Sequence, residues 1–351
     1  MGFAGTANAA GSNSTAITST QAGILAPAIS FQGRFDRSNP ARPRFAWSGS
    51  RIVFSFKGTG VAVQLSANGI RFKASVDGQL TDFVATTSKD YILGTGLSAG
   101  IHHVSLWRQT EASQGVAEFL GVNLSPGGIL TANPASSGRR IEVIGDSISA
   151  AYGNEGEPGC TGYRVNQQNH WMSYGGLAAR SKNATLVTTA WSGKGIYRNY
   201  DGTTAVTGET LPELYSRTLP GDERSTWSFT SEIPQAVFIN VGTNDYRAGD
   251  PGNAFDTTYN SFVRSVRGHY PAAKIFIALT PMLGSVDRSS LAGRLRSIVA
   301  TMNTTYADSN IFYLDLTAQG TARGCDNHPT VAHHQVMAGV VKLALQQKLG
   351  W

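Results

Sequence analysis

Charge is what this chain has least of. Only 15% of its 351 residues are charged, against about a quarter in an average globular chain. The 29 basic residues outnumber the 23 acidic ones, giving a net charge of +6. The basic residues are scattered, with Arg139–Arg140 the densest pair, and no stripe or recognisable module supports nucleic-acid binding. No apolar run approaches the ~18 residues that a membrane-spanning helix needs. Cysteine is nearly absent: Cys160 and Cys325 are the only two. No Cys-x-x-Cys pair or Cys/His cluster points to zinc, and no metal or cofactor is expected. The first residues, Met1–Gly23, lack both a basic start and an apolar core, so they do not form an intact signal peptide. Residues 1–28 read instead as a flexible leader.

What is present is glycine, 40 residues of it, together with 41% hydrophobic and 9% aromatic residues. That excludes wholesale disorder, and the length suits two domains. Low charge and high glycine content lead us to expect a secreted, extracellular or periplasmic protein.

The hydrophobic pattern changes period once. Over 29–130 it has period two: Ile52, Phe54 and Phe56 alternate with Val53, Ser55 and Lys57, and Val61, Val63 and Leu65 follow suit. Asp77-Gly78 between two such runs is a hairpin signal. Short strands with frequent glycine turns predict an all-β sandwich of jelly-roll kind. Residues 131–140 read as a linker. From Ile141 to Trp351, apolar runs at 141–144, 185–187, 236–241, 275–279 and 311–314 alternate with helical patterns. These include Phe255, Tyr259, Phe262, Val263 and Val266 on one face, and Val336, Val340 and Leu343 on the last helix. The alternation predicts an α/β domain with a five-stranded parallel sheet, whose ligand site lies at the carboxyl ends of the strands.

Four polar clusters follow those apolar segments: Gly145-Asp146-Ser147, Trp191-Ser192-Gly193, Gly242-Thr243-Asn244-Asp245 and Cys325-Asp326-Asn327-His328-Pro329. Each alone is ordinary; an Asn-Asp after a strand usually caps a helix. Together they hold the parts of acyl transfer. Ser147 is the candidate nucleophile, His328 the general base and Asp326 the acid that orients it. The backbone N–H groups of Ser147 and Gly193 and the side chain of Asn244 are the candidate oxyanion donors. Asp315, at the end of the run 311–314, is a rival for the acid. Gly96-Leu97-Ser98-Ala99-Gly100 fits a nucleophile-elbow pattern, but it lies in the β half without the strand-to-helix context, so it reads as a turn. His102 and His103 read as structural strand residues, and His333 and His334 as surface residues of the last helix. Cys160 and Cys325 lie on loops expected over one sheet edge, and a disulfide between them is expected.

The ordered motifs resemble the SGNH/GDSL hydrolase superfamily. Gly33-Arg34-Phe35-Asp36, Phe45-Ala46-Trp47-Ser48-Gly49-Ser50, Arg108-Gln109-Thr110-Glu111 and Ala151-Tyr152-Gly153-Asn154 further resemble carbohydrate esterase family 2. The resemblance implies an N-terminal jelly roll, a C-terminal SGNH domain and deacetylation of plant polysaccharides such as xylan or glucomannan. It matches Ser147, His328, Gly193 and Asn244 to their roles, and Asp326 to members with a full triad; other members orient the histidine with a backbone carbonyl. Asn327 stands where members often carry a tryptophan that forms a sugar platform. The candidate substrate-binding residues are thus Trp191, Tyr246 and Asn327, with Trp171 and Tyr197 as further aromatic candidates. The expected partner is an acetylated polysaccharide or oligosaccharide, not nucleic acid or membrane. The alternatives are a broad lipid or aryl esterase of the same superfamily, or a non-catalytic glycan-binding protein.

Overall fold

The structure is a computed structural model that describes residues 20–22 and 28–351. Most of the leader expected over 1–28 lies outside these residues. Within it, the backbone of Thr20–Ala22 pairs antiparallel with Val122–Leu124.

The period-two half forms β1 (Thr20–Ala22), β2 (Ser30–Gln32), β3 (Arg44–Phe45), β4 (Arg51–Gly58), β5 (Val61–Ser66), β6 (Ile70–Val76), β7 (Gln79–Ala85), β8 (Lys89–Gly94), β9 (Gly100–Arg108), β10 (Ala117–Leu124) and β11 (Ile129–Thr131). One antiparallel sheet runs β1-β10-β5-β8 with β3 beside β10. The other runs β11-β4-β9-β6-β7 with β2 beside β4. Their inward residues form one core: Ile52, Phe54, Phe56 and Phe72 from the second sheet meet Val61, Val63, Leu65 and Phe119 from the first, all buried. The β6–β7 hairpin turns on Asp77 (φ 50°) and Gly78 (φ 86°). Two consecutive positive φ values are what a two-residue type I′ turn requires, and Asp and Gly tolerate them. The Gly96–Gly100 stretch is the turn between β8 and β9, where the Ser98 carbonyl faces His102 Nε2 at 2.8 Å. His102 is buried against Asp77, while His103 points to the other face and meets Ser55.

The second half forms β12 (Arg140–Gly145), α1 (Ser147–Ala150), α2 (Tyr174–Ser181), β13 (Thr185–Ala190), α3 (Leu211–Tyr215), β14 (Ala236–Asn240), α4 (Asn253–His269), β15 (Lys274–Leu279), α5 (Ser285–Thr305), β16 (Ile311–Asp315) and α6 (Val331–Leu349). The five strands are all parallel, in the order β13-β12-β14-β15-β16. The strand order reverses between β12 and β14, which makes their carboxyl ends the crevice where such sheets bind ligands. α4 buries the expected face, Phe255 through Val266. α6 does not. Its buried residues are His334, Met337, Ala338, Val341, Ala344 and Leu345, while Val336 and Leu343 are exposed. Among the described residues no helix is long and apolar enough to cross a membrane.

The halves are packed together. Arg34, fully buried, donates to Glu142 on β12 at 3.0 Å and to the Tyr215 and Arg217 carbonyls. Trp107 at the end of β9 joins the core beneath α2 and donates to His170 Nδ1 at 3.2 Å. A buried ion pair adds little net stability, but removing one partner strands the other charge and costs about 3–5 kcal/mol.

Candidate active site

β12 ends in Gly145 because a side chain has no room there: a Cβ would lie 2.0 Å from Ser149 Oγ and 2.9 Å from the Asn240 carbonyl. Asp146 is fully buried and caps α1 by accepting from the Ile148 N–H at 3.0 Å. Burial pushes its carboxyl up to about 7, against the hydrogen bonds it accepts. Ser147 then opens the helix. Its own N–H lies in the first turn, where backbone donors have no intrahelical partner.

His328 Nε2 lies 2.7 Å from Ser147 Oγ, and its Nδ1 lies 3.1 Å from the Cys325 carbonyl. That carbonyl can only accept, so Nδ1 carries the proton and Nε2 is left as the acceptor facing Ser147. Burial lowers the pKa of His328, opposed by the Cys325 carbonyl and the nearby charge of Asp326. The ring is therefore neutral near pH 7, the form a general base needs.

Asp326 is not placed as the sequence suggested. Its carboxylate accepts from Tyr152 Oη at 2.7 Å and from the Gly162 N–H at 3.0 Å, and it makes no hydrogen bond to the ring of His328. The cause is backbone conformation. Asp326 (φ 50°) and Asn327 (φ 62°) both lie in the left-handed region, which turns the carboxylate away from the imidazole towards the loop at Gly162. Ser147 Oγ, the His328 ring and the Cys325 carbonyl thus form one connected line that includes no carboxylate. The rival acid, Asp315, pairs instead with Arg288 and the Thr317 N–H.

A Cys160–Cys325 disulfide, spanning 165 residues with a Cα–Cα distance of 4.5 Å, anchors this loop. Gly153 and Gly156 make space for it, since a Cβ at either would lie within 2.7 Å of Cys325. The Asp326 N–H also donates to the Cys160 carbonyl at 2.8 Å.

Gly193 lies in a turn at Trp191–Lys194, closed by the Lys194 N–H on the Trp191 carbonyl at 3.2 Å, with Gly193 at φ 81°. A positive φ at the third residue alone marks a type II turn, which is why glycine stands there. Asn244 uses one amide hydrogen on the Lys194 carbonyl at 2.8 Å and keeps the other. Buried Asp245 accepts from the N–H groups of Ile196, Tyr197 and Arg198, holding the segment after the turn; burial raises its pKa against those bonds.

Ser147, Gly193, Asn244 and His328 line one cavity of about 620 Å³, with Tyr152, Tyr200, Tyr246, Arg247, Met282, Leu283 and Asp326 among its walls. Of the proposed platform residues only Tyr246 lines it, and its hydroxyl meets Ser290 at 2.9 Å. Trp191 packs against Trp47 and Leu214 at the seam between the halves, and Asn327 is exposed beside Arg323. Trp171 lies under the Arg180 guanidinium, 3.7 Å away, and Tyr197 packs on the core. Tyr200, 59% exposed, was missed. It lies in an irregular loop with no periodic signal, where the Arg247 guanidinium lies 5.0 Å from its ring centre. Of the two last-helix histidines, His334 is fully buried, not on the surface. It accepts from the Tyr174 N–H at 3.2 Å, and burial lowers its pKa to about 3.

Two family descriptions match the chain: "Carbohydrate esterase 2 N-terminal" over residues 31–134 and "GDSL-like Lipase/Acylhydrolase family" over residues 143–336. The cellulase/esterase CelE of Acetivibrio thermocellus is 38% identical over 331 residues, covering 93% of this chain; the chain spans only 40% of the length of that relative. An acetylxylan esterase / glucomannan deacetylase of Cellvibrio japonicus is 26% identical over 333 residues, covering 89% of this chain and 88% of that protein. A family two carbohydrate esterase from Clostridium thermocellum, solved in complex with cellohexaose, matches with a TM-score of 0.87 at 37% identity, covering 92% of this chain and 99% of that one.

Proposed function

From the premise that the chain belongs to the family 2 carbohydrate esterases, with a catalytic half of the GDSL-like lipase/acylhydrolase family, we propose that it removes acetyl groups from plant polysaccharides such as xylan or glucomannan. The observation that carries this reading is the 2.7 Å contact between Ser147 Oγ and His328 Nε2 in a cavity that also holds Gly193 and Asn244.

The steps follow from the geometry. Nε2 takes the hydroxyl proton as Ser147 Oγ attacks the acetyl carbonyl. The N–H groups of Ser147 and Gly193 and the free amide hydrogen of Asn244 are the donors for the oxyanion that develops. The imidazolium keeps its Nδ1–H on the Cys325 carbonyl and gives the other proton to the departing sugar oxygen. Water then repeats the sequence on the acetyl-serine, with His328 again as base. Tyr200 offers an exposed ring at the cavity rim, a surface suited to the face of a pyranose. The name of the Cellvibrio japonicus relative, an acetylxylan esterase / glucomannan deacetylase, supports acetylated polysaccharide as substrate.

The jelly-roll description of the sandwich and a secreted or periplasmic location belong to the same proposal. The Cys160–Cys325 bond supports the location, because such bonds persist in oxidising compartments.

The test is acetate release from acetylated xylan and glucomannan, alongside hydrolysis of nitrophenyl acetate and octanoate, for the parent and Ser147→Ala. Acetate release with preference for the acetyl ester supports the reading. Preference for octanoate would move the protein to the lipid esterases, and no turnover at all would leave a glycan-binding protein.

A further inference from the structure

A side chain of the sandwich grips Ser192, a residue of the cavity wall. Glu111 lies in the loop between β9 and β10 and is 1% exposed. Its Oε2 accepts from the backbone N–H of Ser192 at 2.9 Å, and its Oε1 accepts from Ser192 Oγ at 2.9 Å. Ser192 is the second residue of the type II turn whose third residue is the oxyanion donor Gly193.

We infer that Glu111 is a positioning residue of the active site, holding the Ser192–Gly193 turn in the form that aims the Gly193 N–H at the reacting carbonyl. The inference rests on the proposed esterase reading.

Turn geometry explains why this grip matters. The peptide between Ser192 and Gly193 is the central peptide of the turn. Types I and II differ by reversal of that peptide, so a turn free to relax could swing the Gly193 N–H away from the cavity. Clamping Ser192 by both its N–H and its hydroxyl fixes one end of the peptide. The residue type also fits. Two donors on one residue match the two acceptor oxygens of a carboxylate, and a charged acceptor makes each bond stronger than a neutral one would.

The loop that carries Glu111 is itself held. The Arg108 guanidinium, fully buried, donates to the carbonyls of Thr110, Glu111 and Gly115 at 3.1, 2.9 and 2.7 Å. The Glu111 N–H donates to Gln168 Oε1 at 3.2 Å, and Gln168 Nε2 donates to the carbonyl of Ala150, the last residue of the nucleophile helix, at 2.8 Å. One loop of the sandwich therefore gauges the oxyanion turn and the nucleophile helix against each other. Burial raises the pKa of Glu111, while the two Ser192 bonds and Arg108 pull it back. A costly buried carboxylate kept on a turn beside the cavity is consistent with a role in aiming that turn.

The experiment measures kcat and KM for nitrophenyl acetate, with melting temperature, in the parent, Glu111→Ala, Glu111→Gln, Ser192→Ala and Ser147→Ala. Losing an oxyanion donor outright costs about 10²–10³ in kcat, and misaiming one costs part of that. Glu111→Ala should lower kcat about 10–100-fold with KM within about threefold. Glu111→Gln should recover to within about tenfold of the parent, because its oxygen can take the N–H while its amide faces the hydroxyl. Ser192→Ala, which keeps the N–H bond, should lose about 3–10-fold with melting unchanged. A folded Glu111→Ala with kcat within about twofold of the parent, or a loss confined to KM, overturns the inference. Should Glu111→Ala fail to fold, parent-like kcat in both Glu111→Gln and Ser192→Ala overturns it. A parent no faster than Ser147→Ala would instead remove the esterase reading itself.

Discussion

The two sides of the cavity that holds Ser147 and His328 are built by different means. Ser147 and Asn244 stand at the ends of adjacent parallel strands, β12 and β14, paired in register from Ile141–Ala236 to Gly145–Asn240. Sheet hydrogen bonds and close packing at Gly145 set their positions. His328 stands on an irregular loop, held by a disulfide, by Asp326 on Tyr152 and Gly162, and by two non-glycine residues with positive φ. The sheet side is thus set by main-chain geometry that many sequences could share, and the loop side by particular side-chain tethers. Changes to the chemistry should be severe on either side, whereas changes to scaffolding should be felt where side chains tether an irregular segment, at the His328 loop and at the Ser192–Gly193 turn.

The largest effects should come from the reacting pair. Ser147→Ala and His328→Ala should each lower turnover by about 10⁴–10⁶ while leaving the melting temperature near that of the parent. A variant of either that keeps most of its activity would break the dyad.

Between the halves of the molecule, Arg34→Met should strand the buried carboxylate of Glu142. The expected loss is about 3–5 kcal/mol of stability, read from denaturant unfolding. Parent-like unfolding would mean the seam does not depend on this pair.

Reducing or deleting the Cys160–Cys325 bond removes the main tether of the loop. The expected loss is about 2–4 kcal/mol, with turnover falling alongside because His328 follows Cys325 by three residues. Unchanged melting and turnover under reductant would show that the remaining hydrogen bonds suffice.

Acid should act on chemistry and stability separately. His328 has a lowered pKa, so the acid limb of kcat/KM should lie below the ordinary histidine value near 6.5. His170 and His334 are buried, and burial brings both down to about 3. As pH falls below about 6.5, the unfolded chain takes up these protons and the folded one does not. Each of these two histidines therefore withdraws stability between about pH 6.5 and 3, by at most about 1.4 kcal/mol per pH unit, while the raised carboxyl of buried Asp146 works in the opposite direction. A ring-signal titration of the folded protein that placed either histidine near the ordinary value of about 6.5 would contradict that.

The same contrast explains what the sequence revealed. The strand-end motifs were legible because a parallel sheet brings the residues after its strands to one edge, whatever the loops do. The hydrophobic periods marked both halves for a similar reason, and α4 buries the face its spacing predicts. The direction of the Asp326 carboxylate was not legible. Asp-x-His spacing brings the residues near each other, and only the left-handed backbone at 326 and 327 decides which way the acid faces. Trp191 lies outside the cavity lining because it packs at the seam between the halves, a contact no local pattern marks. On α6, the large residues Val336 and Leu343 suggested a face that small residues and a histidine occupy instead. Glu111 on Ser192 joins positions 81 residues apart, a contact that no local pattern announces.

The smallest expected effect is the most informative. If the Cys325 carbonyl orients His328, then Asp326→Asn, which keeps one oxygen to accept from Tyr152 or Gly162, should lower kcat on nitrophenyl acetate by less than about tenfold, the worth of one ordinary hydrogen bond. In parallel, His328→Ala should lose nearly all activity. A fall of about 10²–10⁴ for Asp326→Asn with KM unchanged would contradict the dyad and return the carboxylate to the catalytic set.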